Sequence, residues 1–112
     1  MMYDGAIRHM EAARAAIDVH DLKAQNDHLQ RAQKTVVDLM SCLDLNGGGE
    51  IAANLLSLYT YVLNELVEAN VQSKIAPIER SIRIFRDLQE SWVKFEDAMK
   101  RAREGDDERL AS

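Results

Sequence analysis

Few side chains in this 112-residue chain could carry chemistry: three histidines, one cysteine and a glycine triplet. A metal centre on helices of the ferritin type needs a glutamate three residues before a histidine, so that carboxylate and imidazole leave one face together. The residues three before His9, His20 and His28 are Ala6, Ile17 and Gln25, so that donor set is missing. The histidines read as exposed helix or loop residues, with no metal and no cofactor. Cys42 stands between Ser41 and Leu43 with no cation nearby. An apolar helix face raises a thiol's pKa, so Cys42 reads as an inert packed cysteine. Gly47, Gly48 and Gly49 follow no strand and precede no Lys-Ser/Thr pair, so they read as a helix connection rather than a phosphate loop. No nucleophile, base and oxyanion arrangement can be assembled, and the expectation is that the chain is not an enzyme.

His20 has one alternative. His20-Asp21-Leu22-Lys23-Ala24 resembles the segment around the phospho-accepting histidine of histidine phosphotransfer domains. That role needs an exposed mid-helix histidine with a small residue one turn on. Here the polar run Asp18-Val19-His20-Asp21 places His20 in a connection between helices.

The elements that would position these residues follow from composition and spacing. Hydrophobic residues make up 46% and charged residues 29%, with one proline and five glycines, a balance that favours one helical domain. The net charge of −5 gives no drive toward nucleic acid or anionic lipid. The uncharged run from Ile51 to Asn64 is too short to span a bilayer, which takes about 20 residues, so no membrane insertion is expected. A single cysteine and a start without signal-peptide character point to a cytoplasmic protein.

Apolar residues recur at three- and four-residue steps in four segments. The first, from about Tyr3 to Ile17, carries Ile7, Met10, Ala13 and Ile17 on one face. The second, from about Leu22 to Leu43 behind a capping Asp21, carries Leu22, Leu29, Ala32, Val36, Leu39 and Leu43. The third, from about Glu50 to Val71, carries Ile51, Leu55, Leu58, Val62, Leu66 and Ala69. Asn46 and the glycines supply the stop before it. The fourth, with Ser73 as N-cap and Pro77 in its first turn, carries Ile78, Ile82, Phe85, Trp92, Phe95 and Met99 to about Arg103. Short connections predict an all-α, antiparallel up-down-up-down four-helix bundle over 1–104, with 105–112 as a frayed polar tail.

Apolar surface is in surplus. The third helix has a second stripe, Ala52, Leu56, Tyr59 and Leu63, and the second adds Val37 and Met40. A bundle core uses about three of every seven positions. The surplus fits either a wide core stripe or an apolar groove for partner helices made by these six residues.

From Gly48 to Asn70 the chain reads GGEIAANLLSLYTYVLNELVEAN. This segment closely resembles the FliS family of flagellin export chaperones, and Leu43-Asp44 precede it at the family's usual distance. Met2-Tyr3-Asp4-Gly5-Ala6, the run Arg31 to Leu39, and Ile78 to Trp92 are similar to the family's other helices. The resemblance implies a cytosolic helical bundle that binds the disordered C-terminal segment of flagellin and prevents premature polymerisation. It also implies help with delivery to the flagellar export gate. Coupled folding of that segment loses ordering entropy and requires a large apolar surface. The family's N-terminal arm and Ser/Thr-Pro helix start do not precede Tyr3. The expectation drawn from this is an uncovered groove and self-association of the free chain.

Overall fold

The computed structural model describes residues 2–43 and 47–111. Among these the chain is all-helical, with α1 (Met2–Asp18), α2 (Leu22–Ser41), α3 (Gly49–Gln72) and α4 (Ala76–Ala111). Each helix packs on two others, in the pairs α1 with α2, α2 with α3, α3 with α4, and α4 with α1.

Local chemistry sets the helix ends. The Asp21 side chain accepts from the Ala24 backbone N–H at 3.1 Å, capping α2 as the sequence predicts. α1 ends with His20 in the left-handed region, φ 58°, while the Asp21 N–H donates to the Ala16 carbonyl at 2.9 Å. Ser73 departs from expectation. It caps the C-terminus of α3 at φ 52° rather than opening α4, and Pro77 falls in the first turn of α4. A left-handed serine is uncommon, and the buried Gln25 of α2 holds this one, its Nε2 donating to Ser73 Oγ at 3.2 Å. Gln25 also donates to the backbone carbonyl and the side-chain oxygen of Asn70, and Asn70 donates to Asn26. This network ties the α2–α3 seam at one end of the molecule. α3 opens on Gly49 at φ +55°, a conformation that suits glycine. The predicted stop at Asn46 lies outside the described residues.

The core comes from all four helices: Ala6, Met10, Ala13 and Ile17; Leu29, Ala32 and Val36; Tyr59, Val62, Leu66 and Ala69; Ile78, Ile82 and Phe85. Phe85 sits edge-on to Tyr3 and Tyr59, with ring centroids 5.3 and 6.2 Å apart. α4 runs past its expected end at Arg103 as far as Ala111, so the backbone from Glu104 to Ala111 is helical rather than frayed. No proline interrupts that stretch, and Gly105 alone departs from good helix formers and acids. At 36 residues α4 is about 54 Å long, which stretches the molecule to 64 × 27 × 18 Å.

Candidate functional site

At the end where α1 and α3 start and α2 finishes, the helices do not close on one another. They leave a cavity of about 490 Å³. Tyr3 of α1 forms one wall, Leu39, Cys42 and Leu43 another, Ile51, Leu55 and Tyr59 of α3 a third, and Leu88, Ser91 and Trp92 of α4 the fourth. No charged side chain lines it, and its polar side-chain groups are three hydroxyls, one thiol and the indole N–H of Trp92. Two further cavities, lined by Asp27, Arg31 and Lys34 or by Arg14, Glu79 and Arg86, are charged.

The apolar cavity is built on a firm floor and a loose rim. Leu39, Leu43, Leu55 and Leu88 are half-buried and pack on the core. Tyr59 is 3% exposed, and its hydroxyl lies 2.5 Å from that of Tyr3. Burial, and secondly the bond to Tyr3, push the Tyr59 phenol well up, so it stays neutral. At the rim Ile51 is 74% and Trp92 46% exposed. Apolar side chains so exposed around an uncharged hollow are what a partner's apolar face would cover.

The six groove residues expected from the sequence do not meet in this cavity. Tyr59 lines it, Ala52 is buried, Leu56 is half-buried, and Met40 and Leu63 pack against the core from its edge. Val37 is 46% exposed on α2. Conversely, Ile51 and Leu58, expected in the core, are exposed, as is Leu22. In the first half of α3 the buried face is that of Ala52 and Tyr59, and farther on it is that of Val62, Leu66 and Ala69. The two stripes are adjacent on the helix, and periodicity alone cannot choose between them.

Two further expectations change. Cys42 is exposed at the cavity, because α2 ends at Ser41 before its face can be covered. His9 and His28 are half-buried and touch, with their Nδ1 atoms 3.2 Å apart across the α1–α2 seam. His20 lies in the turn after α1, not mid-helix, so it lacks the setting that phosphotransfer needs. Among the described residues no group of three or more His, Cys, Asp or Glu could hold a metal ion. No described helix is long and apolar enough to cross a membrane.

Ion pairs join α4 to α3 and to α1. Arg80 Nε of α4 donates to Glu65 Oε2 of α3 at 2.6 Å, and that hydrogen bond raises the Arg80 pKa. Arg86 of α4 pairs with Glu11 of α1, and Gln89 donates to Asp4.

Residues 1–100 match the family model described as "Flagellar protein FliS". The chain is 32% identical over 93 residues to the flagellar secretion chaperone FliS of Salmonella typhimurium, covering 82% of this chain and 69% of that protein. It is 29% identical over 92 residues to the FliS of Vibrio cholerae, covering 82% and 68%. Against the FliS of Bacillus subtilis the figures are 28% over 99 residues, covering 86% and 73%.

Proposed function

The chain belongs to the FliS family of flagellar secretion chaperones, and on that premise we propose that it binds the C-terminal helical segment of flagellin. It keeps that segment from polymerising early and assists its delivery to components of the flagellar export gate. It works without catalysis, in the cytoplasm. The unit that does this is 1–104, with 105–112 as a polar extension. Within it the helices alternate direction, up-down-up-down, which accords with the start of α1, the end of α2 and the start of α3 meeting at one cavity.

The observation that carries the reading is the uncharged cavity with Ile51 and Trp92 exposed at its rim. An amphipathic guest segment would fold as it docks, setting leucine-like side chains into the hollow. The apolar area it covers must offset the entropy of ordering it. Val37, Met40, Leu56 and Leu63 offer the guest a second apolar strip, while Ala52 and Tyr59 support it from beneath. With no guest bound, the same rim favours self-association.

Cys42 provides the test, since its thiol is exposed at the cavity. Flagellin, or its C-terminal peptide, at about 100 times its dissociation constant should slow alkylation of Cys42 about 100-fold by mass action. Flagellin lacking the C-terminal segment should leave the rate unchanged. Equal protection by the truncated protein, or none by either, refutes the proposal.

A further inference from the structure

We infer that His9 and His28 form a proton-operated clasp between α1 and α2, which holds while the pair carries at most one extra proton and loosens α1 when both rings are charged. The inference concerns the helical bundle itself and holds whatever occupies the cavity.

The geometry is a direct imidazole–imidazole contact. The Nδ1 atoms are 3.2 Å apart, the ring centroids 5.4 Å apart, and the rings tilted by 34°. In a neutral pair one Nδ1 donates its N–H and the other accepts it. With one added proton, an imidazolium donates to the remaining imidazole and the bond survives. With two, both Nδ1 atoms carry hydrogen, neither accepts, and two like charges face each other.

No carboxylate is among the charged groups that act on His9. The charged groups acting on His9 are His28 itself, Arg31 of α2 and Arg8 of α1, all of them lowering its pKa together with burial, the largest cause. The carboxylates Asp4 and Glu11 of α1 are engaged by Gln89 and Arg86 of α4. On α2, Asp27 is exposed beside a cavity that it shares with Arg31 and Lys34. At helical spacing the small residues Gly5, Ala12 and Ala16 share the face of His9, and Ala24, Gln25, Arg31 and Ala32 that of His28, so the only charge among them is a further cation.

The sign of the pH effect follows. His9 holds its proton less tightly folded than unfolded, where its value is 6.5. Its contribution to stability is fully present above that value. It is lost as pH falls, because the unfolded chain takes up a proton that the folded one refuses. α1 also carries Tyr3, six residues from His9 and so about 9 Å along the helix. Loosening α1 frees Tyr3 from Tyr59 and Phe85 and opens that wall of the cavity.

Hydrogen exchange of the full chain at about pH 7.5 and about pH 5.5, corrected for intrinsic rates, tests this across the range where histidine titrates. The opening constant of α1 amides should rise about tenfold on acidification, and that of α3 amides far less. His28→Gln keeps a neutral partner for His9, and His9→Gln does the same for His28. Each should cut the rise by about half or more, because the doubly charged pair that breaks the contact can no longer form, while the burial of His9 persists in His28→Gln. An unchanged α1 in the parent chain overturns the inference. So does the full rise persisting in both variants, or a His9 ring that titrates above 6.5 by NMR.

Discussion

Ile51→Ala separates binding from folding at a single side chain. Ile51 is 74% exposed, at the rim of the apolar cavity, in the first turn of α3. Its removal leaves no cavity in the core, and alanine is the better helix former, so stability should change by no more than about 0.5 kcal/mol. Full burial of an isoleucine is worth about 1.5–3 kcal/mol. About three-quarters of the side chain remains for a guest to cover. Its loss should therefore weaken binding of a C-terminal flagellin peptide by about 1–2 kcal/mol, roughly 5- to 30-fold. Ile51→Asp should weaken it further, because the guest would bury a carboxylate with no partner. Calorimetry with the peptide reads the affinity, and a thermal melt followed by helical signal controls for folding. If Ile51→Ala binds within about twofold of the parent chain while its melt is unchanged, the guest does not cover this rim.

Other substitutions probe the scaffold beneath the site. Leu66→Ala, at a fully buried position of α3, should cost about 2–5 kcal/mol in urea unfolding by leaving a cavity. Gln25→Leu leaves Asn70 and Ser73 without their buried partner. A loss of about 1–3 kcal/mol is expected, seen as a lower urea midpoint with an unchanged slope. Tyr59→Asp should unfold the chain outright by circular dichroism, since at 3% exposure a carboxylate there has no access to water.

Much of this molecule could be read from order along the chain. The periodic spacing in α1 found Ile7, Met10, Ala13 and Ile17, all of which are buried. Asp21 announced the start of α2, and Pro77 falls in the first turn of α4. These are local effects, set by residues within a turn or two of one another. The Gly48–Asn70 segment carried the family resemblance for the same reason, as a property of residue order alone.

What stayed hidden depends on where neighbouring helices stand. Periodicity shows that α3 has a broad apolar face, not which edge of it turns inward, so Ile51, expected inside, stands exposed at the rim, and Tyr59 both lines the cavity and belongs to the core. Only packing decides that edge, because a side chain is buried by atoms distant in sequence. The contacts that distinguish this structure span 19 residues between His9 and His28, 56 between Tyr3 and Tyr59, and 48 between Gln25 and Ser73. No pattern along one helix specifies them. The apolar cavity is the same kind of quantity: it exists because four helix surfaces fail to close at one end, and each of them separately reads as an ordinary amphipathic face.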